Sequence, residues 1–172
     1  MLTPPLSFNE KFSYALGDTA SNLFFQFFAI FIIYYYTDVY GLSAAAVTTM
    51  LLTVKLWDWI SDPIMGIIAD RTNTRWGKFR PYLLWMSVPY GALGYLMFAN
   101  PDLQEEGKLI FAYVTYILMM TAYTAINVPY GAMRGVMTTS SSERLTLGTF
   151  RFVGAFCAAI VLGMSVRPLV RF

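Results

Sequence analysis

Lys55-Leu56-Trp57-Asp58-Trp59-Ile60-Ser61-Asp62-Pro63 places two acids and a base in the middle of a run, Ala44 to Ala69, that is otherwise almost wholly apolar. Read as one α-helix at about 1.5 Å per residue, the run is roughly 39 Å long, enough to cross a hydrocarbon core about 30 Å thick with some tilt. Asp58 falls near its midpoint. Asp58 and Asp62 are four apart and Lys55 is three before Asp58, so the three side chains share one helical face. A carboxylate at that depth persists only against a protein interior, a water-filled cavity or a partner charge. Two carboxylates and one ammonium leave a formal charge of −1, which one Na⁺ or one proton would neutralise. The alternative is a purely structural Lys–Asp pair beside one neutral carboxyl. Pro63 has no N–H to donate, which frees the Trp59 carbonyl. Broken backbone beside acids is how transporters assemble oxygen ligands for a cation, whereas Pro63 alone predicts only a kink.

The rest of the chain fits a membrane. Of its 172 residues 57% are hydrophobic and only 13% charged, against about 25% charged in a soluble domain. With no histidine and a single cysteine, Cys157, zinc sites, haem ligation, disulfides and histidine-based catalysis are excluded. A net charge of +2 gives no reason to expect nucleic acid; the basic residues read as loop residues that set orientation. The segment from Met1 to Phe12 carries Glu10 and Lys11 and lacks a small-residue cleavage site, so no signal peptide is expected.

Apolar spacing predicts an all-α membrane protein with five spans, at about residues 12–36, 44–69, 81–99, 109–133 and 145–166. The first begins with a small-residue stretch in which Asp18 and Asn22 form one inward polar stripe; Asn22 there is either interhelical glue or a ligand contact. Asp70 to Arg80 holds four basic residues against one acid, the mark of a cytoplasmic loop. The fourth span reads Tyr123-Thr124-Ala125-Ile126-Asn127-Val128-Pro129-Tyr130-Gly131 near its inner end, where Pro129 and Gly131 weaken the helix. Arg134 to Arg144 is expected as an inner loop. Arg151 either snorkels to the interface or points into a cavity, position alone favouring the interface. Arg167-Pro168 should end the fifth span. The loop charges agree when the N-terminus is cytoplasmic and the C-terminus outside.

Several of these stretches together resemble one family: Leu16-Gly17-Asp18-x-Ala20-Ser21-Asn22; Tyr35-Tyr36-Thr37-Asp38-Val39; Trp57-Asp58-x-x-x-Asp62-Pro63-x-x-Gly66; Asp70-Arg71-Thr72 with Arg75-Trp76-Gly77-Lys78-Phe79-Arg80-Pro81; and Tyr123-Thr124-x-x-Asn127-x-Pro129-Tyr130. In order and spacing they look like the N-terminal portion of the glycoside–pentoside–hexuronide:cation symporters, the melibiose-permease-like branch of the major facilitator superfamily. The resemblance implies sugar uptake in symport with Na⁺ or H⁺ across a bacterial-type inner membrane, and no enzyme activity. It puts the coupling-cation carboxylates on Asp58 and Asp62, with Ser61 and Thr124 beside them; if coupling is to sodium, Asp58 and Asp62 are the metal ligands. Sugar-contacting positions fall on Asn22, Tyr123, Asn127 and Arg151. Asn22 and Asn127 stand where melibiose-type members carry Asp, which keeps hydrogen bonding to hydroxyls but removes two negative charges. Neutral glycosides, pentosides and a hexuronide held by Arg151 all stay open, as does Na⁺ against H⁺. Asp70, Arg71, Arg75, Lys78 and Arg80 correspond to the superfamily's gating loop.

A twelve-helix carrier needs at least about 240 apolar residues, so the chain is expected to be an incomplete N-terminal half, residues 1–172 forming a partial transmembrane domain. A truncated product that does not transport alone is the first expectation, with the bilayer, a small sugar and the missing C-terminal half as partners. The alternative is a small non-transporting membrane protein acting as an assembly or interaction module. An intramembrane aspartyl enzyme is a third reading, disfavoured because Asp58 and Asp62 sit on one helix beside Lys55.

Overall fold

The computed structural model describes residues 6–169, with side chains over 6–165. Its order is α1 (Phe8–Tyr34), a π-helical turn (Tyr35–Val39), α2 (Ala44–Arg71), α3 (Arg80–Met97), α4 (Glu105–Met137) and α5 (Ser141–Leu169). Two of these helices begin ahead of their apolar periodicity for the same reason. Ser7 Oγ accepts from the Glu10 N–H at 3.3 Å while Glu10 Oε2 accepts from the Ser7 N–H at 2.8 Å. This reciprocal cap satisfies first-turn donors and starts α1 at Phe8 rather than Phe12. Ser140 Oγ likewise accepts from the Glu143 N–H at 3.5 Å, and α5 starts at Ser141. The expected inner loop from Arg134 to Arg144 is therefore corrected to a connection of Thr138, Thr139 and Ser140, with Arg134 in the last turn of α4.

Neither Pro63 nor Pro129 breaks its helix. α2 runs unbroken through Pro63 and α4 through Pro129, as continuous spans over both positions require. A single missing N–H leaves the flanking i→i−4 ladder to carry the helix. α5 runs on to Leu169, past the expected stop at Arg167-Pro168; Arg171 lies outside the described residues.

Three of the described helical segments are long and apolar enough to cross a membrane: Phe8–Val39, Glu105–Met137 and Ser141–Ser165. The five-span reading thus rests on α2 and α3 joining them. α2 interrupts its apolar run with Lys55, Asp58 and Asp62, and α3 is only 18 residues long and rich in Gly, Pro and Tyr.

The chain divides into two compact units, one of residues up to Ile30 with those from Met133 onward, the other Phe31–Ala132. In the first, α1 and α5 pack closely. An ideal Cβ on Gly154 would overlap Thr19 Oγ1 and lie 3.4 Å from the Ala15 carbonyl, so the missing side chain is what lets the helices meet. Lys11 pairs with Glu143 at 3.1 Å, the Gln26 amide donates to the Ala155 carbonyl at 3.3 Å, and Phe8 meets Phe150 edge-on at 5.9 Å.

The second unit contains α2, α3 and most of α4. Its core holds Tyr36, Tyr40, Met50, Val54, Met97 and Met119, each 1% exposed or less. The π turn orders part of it: the Tyr40 N–H reaches the Tyr35 carbonyl, five residues back, at 2.8 Å. That wider winding brings Tyr35 and Tyr40 onto one face, where their rings stack at 5.9 Å. Tyr35 then donates its hydroxyl to the Phe98 carbonyl at 2.8 Å, tying the turn to the end of α3.

Candidate functional sites on the helices

In the second unit the helix α2 presents Asp58 and Ser61 to the interior and Asp62 toward an exposed edge. The residue Asp58 is 7% exposed and Ser61 8%. Asp58 Oδ2 has the Lys55 ammonium at 3.7 Å, a loose contact, since the lysine side chain is 70% exposed. Asp58 Oδ1 is buried and has no hydrogen-bond donor among the described residues. Leaving such an atom unsatisfied costs free energy in a dry interior. Ser61 Oγ donates back to the Asp58 carbonyl at 3.4 Å, which leaves its lone pairs uncommitted.

Across from α2, Thr124 on α4 is 4% exposed and donates its hydroxyl to Asp62 Oδ1 at 2.9 Å. The same two helices are clipped a little further along, where Trp57 Nε1 donates to Thr121 Oγ1 at 2.9 Å. Asp58, Ser61, Asp62 and Thr124 therefore collect in one region of the second unit. Their donor atoms are all oxygens, carboxylate and hydroxyl, the set that suits a hard cation. Nothing in the sequence pointed to the Trp57–Thr121 clip, because Trp57 reads equally well as a lipid-facing aromatic.

The gating-loop candidates divide by position. Asp70 and Arg71 lie in the last turn of α2 and Arg80 opens α3; Arg75 and Lys78 are in the connection. That connection is a tight turn, with the Gly77 N–H on the Thr74 carbonyl at 2.9 Å and Thr74 Oγ1 donating to the Gly77 carbonyl at 2.7 Å. Gly77 has φ +94°, a conformation only glycine adopts without strain. The Arg75 guanidinium lies 4.8 Å over the Trp76 ring. None of the three ion pairs among the described residues involves these five side chains. Tyr123 and Asn127 also belong to the second unit; the Asn127 amide donates to the Tyr123 carbonyl at 3.2 Å, and Tyr123 packs against Tyr90 at 6.1 Å.

Arg151, in the first unit, does not snorkel. Its guanidinium donates from Nη2 to Asp18 Oδ1, and it lines a cavity of about 230 Å³ together with Asp18, Asn22, Arg134, Gly148 and Ala155. Asp18 is 3% exposed. The Asn22 amide donates to Asp18 twice, to its carbonyl at 2.9 Å and to Oδ2 at 3.0 Å. The interface expected from position is overruled because a buried carboxylate one helix away offers the guanidinium a charge-assisted bond. The sequence held the signal in part: Asp18 and Asn22 share a face, but their distance from Arg151 in sequence hid the pairing.

Comparison with known proteins adds a common theme. A family model described as MFS/sugar transport protein matches residues 13–172. The inner membrane symporter YicJ of Escherichia coli (strain K12) is 41% identical over 170 residues, an alignment covering 99% of this chain and 37% of that protein. The putative glycoside/cation symporter YagG of the same organism is 44% identical over 165 residues, covering 96% and 36%. The isoprimeverose transporter of Lactiplantibacillus pentosus is 40% identical over 165 residues, covering 95% and 34%. The chain thus spans about a third of the length of the curated relatives it matches.

Proposed function

We propose, from the chain's place in the MFS/sugar transport protein family, to which it belongs as a member of the glycoside–pentoside–hexuronide symporter branch, that it is the cation- and sugar-handling N-terminal part of a sugar:cation symporter. α2 and α3 cross the membrane with α1, α4 and α5, five crossings in all, with the N-terminus cytoplasmic. The partner half, supplied by the rest of a longer protein, completes the carrier. The coupling cation, Na⁺ or H⁺, is held by Asp58 and Asp62 with Ser61 and Thr124. Asn22, Tyr123, Asn127 and Arg151 contact the sugar, and Asp70, Arg71, Arg75, Lys78 and Arg80 serve the cytoplasmic gate.

One observation carries the cation assignment: a buried Asp58 oxygen with no donor among the described residues, on the same helix as Asp62, which accepts from a hydroxyl. Carboxylates at membrane depth that are not closed by the protein's own donors are ready to exchange a small cation. The test is sugar uptake by the full-length gene product in membrane vesicles under an imposed Na⁺ or H⁺ gradient. Asp58→Cys and Asp62→Cys should each abolish gradient-driven accumulation; coupled accumulation in both variants removes the cation site. Because a proton and Na⁺ would compete for one pair of carboxylates, apparent Na⁺ affinity should fall as pH is lowered. An affinity unchanged between acid and neutral pH counts against a shared site.

A further inference from the structure

Asp18 has been given no part in transport so far, yet it touches both proposed sugar contacts in the first unit. One of its carboxylate oxygens accepts from Arg151 and the other from Asn22. The Asn22 amide nitrogen is turned to two oxygens of Asp18, so the carbonyl end of that amide is the one left for a ligand, and it accepts only. The cavity contains two guanidinium groups, Arg134 and Arg151, and one carboxylate, Asp18, so its formal charge is +2 − 1 = +1. Without the Asp18 carboxylate it would be +2, and the Asn22 amide would keep only its bond to the Asp18 main-chain carbonyl.

We propose that Asp18 is the positioning and charge-setting residue of the sugar site: it fixes the Arg151 guanidinium, presents the Asn22 carbonyl oxygen to a sugar hydroxyl, and holds down the pocket's preference for anionic sugars. This rests on the reading of Asn22 and Arg151 as sugar contacts. A pair that merely pinned α1 to α5 would have no reason to line a cavity together or to orient a third polar side chain facing it. Buried charge pairs that also set the geometry of a neighbouring amide act as a unit, so their substitutions are strongly non-additive.

The experiment uses the full-length gene product in detergent or vesicles, with isoprimeverose as neutral probe and phenyl β-D-glucuronide as anionic probe. Asp18→Asn keeps the side-chain shape and removes the charge. It should weaken isoprimeverose binding by about tenfold and glucuronide binding much less, moving the preference toward the anion. Asp18→Glu, which restores the charge, should return the preference toward wild type. In an Arg151→Gln background the further change Asp18→Asn should alter the neutral-probe affinity by less than about twofold. Equal losses for both probes, or the same loss with and without Arg151, overturn the proposal. A cation-induced change in tryptophan fluorescence, read in the same samples, shows that each variant is folded. A wild-type protein that binds neither probe overturns the sugar reading itself and this proposal with it; binding with an unmoved preference overturns only the role of Asp18.

Discussion

Asp18 and Asp58 are buried to nearly the same depth, 3% and 7% exposed, and the two units treat them in opposite ways. Asp18 is closed: a guanidinium and an amide from the protein occupy both its oxygens. Asp58 is left open, with a mostly exposed ammonium at 3.7 Å on one oxygen and, among the described residues, no donor on the other. A closed carboxylate is fixed in place with its partners, because removing one of them strands a charge. An open one is held at a cost that a mobile ion can relieve. Burial alone therefore says little about what an acid does; the completeness of its partners says more.

Five substitutions break or sharpen that contrast. Asp18→Ala should have the largest effect on stability, about 3–5 kcal/mol, because it takes the buried carboxylate away from Arg151; thermal unfolding of the detergent-solubilised full-length protein measures it. Asp58→Asn should leave cation-free stability unchanged or raise it, since the exposed Lys55 contributes little to the pair. It should nevertheless lower Na⁺ affinity by an amount near 1.5–3 kcal/mol, roughly ten- to a hundredfold, read by Na⁺ titration. Comparable destabilisation of the two variants erases the distinction. Gly154→Ala should cost about 1–3 kcal/mol by overpacking α1 against α5, and Thr19→Ala should recover most of it by removing the hydroxyl in the way. Thr121→Val, which removes the acceptor for Trp57, should cost only about 0.6–1 kcal/mol in the same unfolding measurement, with a correspondingly small change in Na⁺ affinity.

Composition and the ordered motifs made the helical membrane class and the sugar-transport family legible, because both depend on residue type along the chain. What the sequence hid was local or long-range. The Ser7–Glu10 and Ser140–Glu143 caps sit outside the apolar periodicity that marked the helices, so both starts were placed inside the first turn. Pro63 was expected to kink and Pro129 to weaken a helix, but one lost hydrogen bond is too little to unwind a helix whose neighbours remain bonded. Position alone leaned Arg151 toward the interface and left the cavity open, because its partner is 133 positions away and no spacing rule reaches that far. The uneven burial of Asp58 and Asp62, one turn apart, likewise depends on where α4 lies against α2.

The turn from Tyr35 to Val39 carries one more residue per hydrogen-bonded loop than the helix leading into it. Excising a single residue there would let ordinary winding resume, swinging Tyr40 away from Tyr35 and dissolving the aromatic stack that closes this end of the second unit. Chain length over five positions, more than the identity of any one side chain, thus governs the register in which α1 hands the polypeptide on to α2.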